Sequence, residues 1–490
     1  MYTFSLPYSL HKCISLLCLC LCFYTTNAQE IIWAQKNNLD KKTDFTKVIG
    51  QNKHGIYVLK HKNSTFRKYF IIEQFDRKMN LLRAKTIKIP DAELQKIIVL
   101  KDKVVFFTKV YQKGYLFSLT MQQLDTALNH NAPTVLVKDC NLTNEYSDFR
   151  IDYNADKNKL VIWYLQEENH ETTINFQLID NLVAGAKQEV HFPYKLSELS
   201  INKTVISADG NFLNLITLSK NYKSNKAADY TQSLVYINMQ SGKVIERSIN
   251  KKDTFLSTMD MIIQPQSNLL HITGFYGIKD DEDNKGYFDL SFNLTDISPV
   301  TRSYYEMDRK FVAGIIGLKY EQKGENLNKF KIRKTIPKTD GGVLLIAERS
   351  FITTQSDVFY VNGIPQTSSA KIFNNDELIL LSLDSSGKLL WNEVLFKNQS
   401  SVNDGGYYNG VVIMINDDNV SLIYNDRLSA NADVIQVSYK EDGSHHKKIL
   451  MNSDQYYALV IPAEYNQVSG NSIVLPINQN RDFTYIKLIY

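Results

Sequence analysis

Apolar and polar residues alternate with a period of two along most of the chain from Glu30 onward, in short runs rich in β-branched and aromatic residues. The runs are bounded by Asp, Asn or Gly, which favour tight turns, and the pairs Asp209–Gly210, Asp340–Gly341 and Asp442–Gly443 suit the positive φ angles of tight hairpins. No window keeps an apolar period of 3.6 residues long enough to predict an amphipathic helix. The pattern therefore predicts an all-β chain.

One layout recurs in eight segments, in which an apolar strand is followed by a second strand that runs into a turn residue. The second strands are Phe70–Asp76, Leu116–Asp125, Ile174–Asp180, Leu234–Gly242, Tyr287–Asn293, Leu378–Asp384, Val434–Tyr439 and Tyr485–Tyr490. A repeat of about 50 to 77 residues in an all-β chain is typical of the four-stranded blades of a β-propeller. The first strand of each pair is apolar on both faces, so we expect burial to fall outward from the ring centre.

The last segment, from Tyr457 to Tyr490, contains only three predicted strands, and the strand Ile31–Lys36 lies outside every other segment. If the N-terminal strand paired with the last one, no open sheet edge would remain. We therefore predict one propeller domain over residues 29–490, built from four-stranded antiparallel blades and closed by the N-terminal strand. Eight blades are favoured, and seven are the alternative if one segment has been over-divided.

A hairpin in the sixth segment carries the clearest motif, with Asp384, Gly387 and Trp391 marking a turn and the strand after it. The stretch Ser382–Trp391 resembles the outer hairpin of quinoprotein-like and YVTN-like propeller blades, and more loosely the Asp-box of sialidases. In these families the motif shapes a turn, so the resemblance implies the fold and no particular activity. Quinoprotein dehydrogenases would show several copies and a cofactor site, whereas this chain has one clear copy.

The first 28 residues have the pattern of a secretory signal peptide. Lys12 precedes the apolar run Cys13–Phe23, and small residues lead to a predicted cut between Ala28 and Gln29. No later stretch reaches the roughly 20 apolar residues of a membrane-spanning helix. We expect an exported protein without a transmembrane segment in the mature chain, periplasmic or associated with the outer membrane, or secreted. The composition resembles that of exported proteins of Bacteroidota-type bacteria.

Charge and cysteine content argue against several functions. Lys and Arg number 56 against 52 Asp and Glu, and the small excess is scattered, so a nucleic-acid partner is not predicted. Cys140 is the one cysteine after the predicted signal peptide, which leaves no internal disulfide.

The candidate metal-binding residues also have other readings. His445 and His446 would point to opposite faces of a strand, and Asp281–Gly286 lacks the full ligand set of a calcium loop. His271 in an apolar strand indicates a hydrogen-bonded core histidine. We predict no metal and no cofactor.

Signatures of catalysis are also missing, since the chain has neither a Gly-x-Ser-x-Gly elbow nor a glycine-rich phosphate loop. The pair Glu348–Arg349 is a candidate acid with a partner, or else a charged pair that caps a strand. Three tyrosine pairs, Tyr304–Tyr305, Tyr407–Tyr408 and Tyr456–Tyr457, are expected near the start of inner strands. They fit either packing between blades or a platform on which sugars stack.

Three long connections, Gly277–Gly286, Asp308–Asn328 and Phe351–Asn375, are where we expect a binding surface. The candidate partner-binding residues are Lys279, Asp281, Asp283, Phe359, Tyr360 and Asn362. We expect a non-catalytic exported propeller that binds an envelope protein or serves as an assembly scaffold. One alternative is an enzyme that acts on extracellular glycans, a hydrolase or lyase whose carboxylates come from several blades and meet in the central funnel. The other alternative is a carbohydrate-binding or adhesin propeller.

Overall fold

The computed structural model describes residues 29–35, 45–61, 69–112, 116–142, 148–219, 226, 229–265, 267–278, 283–361, 364–416, 419–429, 432–479 and 482–490. The predicted signal peptide with Ala28, and the candidate residues Lys279, Asp281 and Asn362, lie outside these ranges. Within them the strands form eight sheets of four or five strands and one two-stranded sheet.

Strand β1 (Glu30–Trp33) belongs to the last sheet, and each of the first four sheets consists of four consecutive antiparallel strands. Sheet 1 contains β2 (Phe45–Asn52), β3 (Gly55–His61), β4 (Tyr69–Phe75) and β5 (Leu81–Lys88); sheet 2 contains β6 (Ala92–Val99), β7 (Val104–Tyr111), β8 (Leu116–Leu124) and β9 (Thr134–Asn141); sheet 3 contains β10 (Arg150–Tyr153), β11 (Lys159–Glu168), β12 (Glu171–Asp180) and β13 (Val183–Phe192); sheet 4 contains β14 (Leu199–Ile206), β15 (Phe212–Ser219), β16 (Tyr230–Ile237) and β17 (Val244–Ser248).

The second half of the chain repeats this layout with additions. Sheet 5 contains β18 (Phe255–Gln264), β19 (Leu269–Gly277), β21 (Gly286–Asn293) and β22 (Pro299–Glu306), while β20 (Asp283–Asn284) pairs with β23 (Leu327–Asn328); sheet 6 contains β24 (Phe330–Pro337), β25 (Val343–Val361), β26 (Ile364–Leu383), β27 (Leu389–Leu395) and β28 (Gln399–Val402); sheet 7 contains β29 (Val412–Ile415), β30 (Asn419–Asn425), β31 (Val434–Lys440) and β32 (His445–Met451); sheet 8 contains β33 (Ala458–Val460), β34 (Asn466–Ser469), β35 (Ser472–Gln479), β36 (Asp482–Ile489) and β1. The helices are α1 (Arg309–Ile316), α2 (Leu318–Glu321) and α3 (Ser453–Tyr456), with 3-10 turns at Leu196–Glu198 and Pro462–Glu464.

The two ends of the described chain pair with each other, as predicted. β1 runs antiparallel to β36, with Glu30 opposite Ile489 and Trp33 opposite Ile486. Innermost strands of neighbouring sheets contact one another: β2 contacts β6 and β34, β14 contacts β10 and β18, and β18 contacts β24. These contacts surround a central channel, and the architecture is the predicted β-propeller.

Burial depends on the position of a strand within its sheet. All residues of β3 are buried, and so are those of β21 except its last. Outermost strands such as β13 and β17 are largely exposed. The innermost strands are only partly buried, because one side of each faces the channel. Burial therefore peaks in the middle of each sheet, and the expected steady decrease from the ring centre was wrong.

Two connections have more structure than the sequence indicated. The connector Asp308–Asn328 contains α1 and α2, and the Asp308 side chain caps α1 by accepting a hydrogen bond from the Phe311 N–H at 2.9 Å. The stretch Phe351–Asn375, expected as a loop, instead extends the two middle strands of sheet 6. Their pairing continues from Ser350 opposite Asn375 to Val361 opposite Ile364. We call residues 351–374 the arm.

Side-chain amides connect neighbouring sheets where no strand pairing exists. The Asn425 amide accepts from the Val460 N–H at 3.0 Å and donates to the Val460 carbonyl at 2.9 Å. Gln232 does the same with Leu256, at 2.8 and 2.9 Å. Each amide satisfies the two backbone groups that a further strand would satisfy, so the backbone groups of Val460 and Leu256 are paired between sheets.

Candidate functional site

The same irregularity occurs in five of the innermost strands and shapes the wall of the channel. The pairing register shifts by one residue in each, at the bulge residues Ile49, Gln95, Asn202, Ser257 and Arg333. A bulge bends its strand and redirects the side chain it carries. Three of these residues, from β14, β18 and β24, line one cavity of about 380 Å³, which we call the channel cavity.

Polar and charged side chains dominate the channel cavity. Lys203 Nζ lies 2.7 Å from Asp260 Oδ1, so this ion pair joins sheets 4 and 5. The Arg333 guanidinium pairs with the buried Glu348 carboxylate of sheet 6. Lys331, in contrast, is exposed and has no ion pair within the described ranges. The Asn284 side chain also lines the cavity although it is only 1 % exposed.

A second cavity of about 450 Å³ continues along the channel between β6, β10 and β14. Its carboxylate, Asp152, accepts a hydrogen bond from the Trp163 indole N–H at 2.7 Å. Lys96 lines the same wall, and burial holds the pKa of its ammonium group below the usual value, although Asp152 opposes this effect. The carboxylates in these two cavities, Asp152 and Asp260, are therefore each held by a donor in the wall.

Glu348, the candidate acid, is fully buried at the centre of a charged cluster. Its Oε1 lies 2.7 Å from Lys397 Nζ, and its Oε2 accepts from Arg333 Nε at 2.5 Å and from Asn375 Nδ2 at 2.7 Å. Arg349, the expected partner, instead lies 3.6 Å from Glu377. The carboxylate is thus held by three donors from its own sheet, which suits a structural role and not proton transfer to a substrate.

The buried ammonium of Lys397 is equally well satisfied. It contacts Glu348 and donates to the Asn375 carbonyl and to Gln399 Oε1, each at 2.8 Å. Burial lowers the pKa of Lys397, while the attraction of Glu348 opposes the shift. Gln399 also accepts from the Gly410 N–H and donates to the Asn425 carbonyl, so the cluster joins sheet 6 to sheet 7.

The arm holds the structurally described part of the predicted partner surface. Phe359 and Tyr360 lie in its ladder, opposite Gln366 and Pro365. Closer to the propeller, Ile352 and Val358 expose 60 % and 62 % of their surface. Near the arm base a cavity of about 340 Å³ lies between sheets 6, 7 and 8.

Asp283, the other described candidate, is half-buried. It pairs with Asn328 in the small β20–β23 sheet and accepts a hydrogen bond from Asn326 Nδ2 at 3.1 Å. It therefore fixes the connector before sheet 6 and is less available to a partner than the sequence indicated.

Five of the six tyrosines in the three pairs are partly buried, whereas Tyr457 is 50 % exposed. Tyr304–Tyr305 lies in β22, an outermost strand, so the expected place near an inner strand was wrong. The Tyr407 hydroxyl donates to the Thr46 carbonyl and accepts from the Thr46 N–H, both at 3.1 Å, which joins sheets 7 and 1. Tyr456 stacks on Trp33 with ring centroids 5.6 Å apart.

The remaining candidates for chemistry are buried or isolated. His271 Nδ1 lies 3.3 Å from the Asp289 carboxylate, and both side chains are buried, which confirms a core histidine. Burial raises the pKa of the Cys140 thiol to about 11, so it is a poor nucleophile at neutral pH. His445 and His446 are exposed neighbours on β32. The described ranges contain no group of three or more His, Cys, Asp or Glu that could hold a metal ion.

The hairpin motif of sheet 6 forms a turn, as the resemblance implied. Asp384 accepts from the N–H groups of Ser386 and Lys388 at 2.8 and 2.9 Å, and the Ser386 hydroxyl is the main cause that lowers its pKa. Trp391 then donates its indole N–H to the Glu441 carbonyl of sheet 7 at 2.7 Å. The motif therefore joins two sheets and carries no reacting group.

Sequence reasoning missed the residues of the channel cavity. Their signal is a break in the alternation, because two consecutive polar residues stand at four of the five bulges. These pairs are Gln95–Lys96, Asn202–Lys203, Ser257–Thr258 and Arg333–Lys334. A one-residue insertion in a ladder requires such a break.

Comparison with known proteins supplies no family for this chain. No protein-family model matches it, and no curated protein matches it. Similar solved structures include the WD40 domain of SCAP from fission yeast (10% identity, TM-score 0.40, 94% of this chain and 98% of that chain) and the β-propeller domain of the Trilobed protease from Pyrococcus furiosus (10% identity, TM-score 0.37, 81% and 95%). Prolyl oligopeptidase B from Galerina marginata is another (8% identity, TM-score 0.42, 89% and 55%). The fold of this chain is therefore defined by its own strand pairing.

None of the helices in the described ranges has the length and apolar character needed to cross a membrane.

Proposed function

We propose that this chain is an exported, non-catalytic propeller that binds another protein of the cell envelope through its arm. The observation that carries the proposal is the arm itself, because β25 and β26 extend over 19 and 20 residues while the other sheets have middle strands of 7 to 10 residues. Export rests on the pattern of residues 1–28, and a non-catalytic role on the way Glu348, Cys140 and the channel carboxylates are buried or bound.

In the arm, β25 and β26 pair with each other, and the outer edge of β25 has no further strand beside it in the described ranges. Such an edge suits recognition of an extended segment of a partner. Beyond Ser350, β25 has its described pairing with β26 alone, so its outer edge presents backbone N–H and C=O groups. Such an edge can accept an added strand, with main-chain hydrogen bonds giving affinity and flanking side chains giving specificity. Ile352 and Val358 would supply apolar contacts on one face, since they are six residues apart and successive side chains of a strand alternate between its two faces.

Site-specific photo-crosslinking in the native host tests this function. A photoreactive residue at Val358 is compared with one at Val183, which lies on the outermost strand β13 and is 70 % exposed. We expect Val358 to form a discrete adduct with an envelope protein that Val183 does not form. The same adducts from both positions, or none from Val358, would refute a binding role for the arm.

A shortened arm provides the second measurement. Residues 354–371 are replaced by Asn-Gly, a two-residue turn that suits the hairpin left by the pair Thr353 and Ile372. With the crosslinked partner purified, the shortened protein should bind at least about tenfold more weakly. Unchanged affinity in a variant with normal thermal unfolding would contradict the proposal.

A further inference from the structure

We propose that the channel cavity binds a small hydroxylated carboxylate, with the chemistry of a sugar acid. The cavity lies between β14, β18 and β24, and its volume of about 380 Å³ suits a ligand the size of one or two sugar rings. The bulge residues Asn202, Ser257 and Arg333 all face it. This ligand is independent of the proposed arm partner.

The charges of the wall favour an anion at one end. On the side of sheet 6 two cationic side chains, Arg333 and Lys331, line the cavity, and Lys331 has no ion pair in the described part of the chain. A carboxylate of a ligand could pair with Lys331 without displacing an existing bond. Such charge-assisted bonds are stronger than neutral ones.

An unsatisfied donor marks the neighbouring wall. The Oδ1 atom of Asn284 accepts a hydrogen bond from the Ser257 hydroxyl at 2.5 Å, whereas its Nδ2 has no partner among the described residues, although the side chain is nearly fully buried. A buried donor left unpaired costs about 1–3 kcal/mol. Because Asn284 lines the cavity, a small shift of its side chain would let an acceptor atom of a bound ligand satisfy this amide.

The opposite end accepts hydrogen bonds. The Oδ1 atom of Asp260 accepts from the Met261 N–H and pairs with the Lys203 ammonium, which leaves Oδ2 as the acceptor for a hydroxyl group of the ligand. The same carboxylate would repel a compact dianion such as phosphate. A single carboxylate near Lys331 and hydroxyls near Asp260 therefore fit the wall better than a phosphate does.

Isothermal titration calorimetry with D-glucuronate tests the assignment, with D-glucose and inorganic phosphate as comparison probes. We expect saturable binding of D-glucuronate and at least about tenfold weaker binding of both other probes. Lys331→Gln should weaken D-glucuronate binding about three- to tenfold, because it removes one charge-assisted bond. Lys243→Gln, which removes an exposed charge on a turn of sheet 4, should leave binding unchanged.

Asn284→Asp keeps the acceptor for Ser257 but replaces the free donor with a negative oxygen, so it should abolish D-glucuronate binding. If this variant does not fold, Lys331→Gln still decides, because its side chain is exposed. Absence of D-glucuronate binding, equal binding of phosphate, or an unchanged affinity in Lys331→Gln would overturn the proposal. The shortened-arm protein should bind D-glucuronate normally, so the two proposals fail separately.

Discussion

Replacement of Lys397 by Met is expected to destabilise the propeller, because it leaves the buried Glu348 carboxylate without its Oε1 partner. Lys397 Nζ lies 2.7 Å from Glu348 and donates at 2.8 Å to Asn375 and to Gln399. Methionine has nearly the same length and fills the space, so the loss reports the interactions and not a cavity. Removing one member of a buried ion pair costs about 3–5 kcal/mol.

The low end of that range applies here, since Arg333 and Asn375 still bind the other oxygen of Glu348. At about 2 cal/mol/K of unfolding entropy per residue, a loss of about 3 kcal/mol lowers the Tm of a chain of this size by about 3 °C if it unfolds as one unit. Calorimetry on the protein without residues 1–28 measures this shift. Lys243→Met, at an exposed turn position, is the matched control and should change the Tm by less than about 1 °C.

A double-mutant cycle separates the ion pair from other effects. Glu348→Gln alone leaves a buried ammonium with neutral acceptors, and the pair Glu348→Gln with Lys397→Met removes both charges. The double variant should lose at least about 1 kcal/mol less than the sum of the single losses. Additive losses, or a Tm for Lys397→Met equal to that of Lys243→Met, would refute the structural role of the cluster and reopen the reading of Glu348 as an acid.

Two further predictions test the turn and the thiol. In thermal unfolding, Gly443→Ala should destabilise the protein more than Gly405→Ala. Both glycines have positive φ (85° and 73°), but a Cβ at Gly443 would lie 2.9 Å from the Trp391 ring, whereas nothing lies within 4 Å of a Cβ at Gly405. Equal losses of stability would show that the contact with Trp391 does not matter. The pKa of the Cys140 thiol is raised to about 11, so about one part in a thousand is thiolate at pH 8. Iodoacetamide should therefore modify Cys140 slowly in the native protein and rapidly in denaturant, as measured by mass spectrometry. Equal rates would contradict the burial of Cys140.

The features that the sequence predicted correctly depend on the backbone preference of single residues or on the rule that proteins avoid an open sheet edge. The turns at Gly210, Gly341 and Gly443 have φ of 88°, 85° and 85°, which a glycine adopts without strain. The pairing of the N-terminal strand with the last one followed from a missing strand at one end and a spare strand at the other. Neither inference needs knowledge of which distant side chains meet.

The arm and the channel cavity could not be predicted in the same way. Glu348 and Lys397 are far apart in sequence, and only the return of β26 beside β25 brings them together. The arm contains many Ser, Thr and Asn residues, which indicate a loop by composition, yet its pairing continues the ladder of sheet 6. Similarly, Asn284 appeared to belong to an acidic turn, and only the fold places it against Ser257.

The channel charges can be sorted by the partners they have, and Lys331 falls among those without an ion pair in the described ranges. Lys47 pairs with Glu464 at 3.0 Å between sheets 1 and 8, and Lys203 pairs with Asp260 at 2.7 Å between sheets 4 and 5. Both pairs join neighbouring sheets, so holding the ring together is sufficient reason for them. Lys331 lies on the same kind of strand, is exposed and has no such partner in the described ranges. Because ring closure does not explain this charge, a ligand in the channel is the explanation that Lys331→Gln puts to the test.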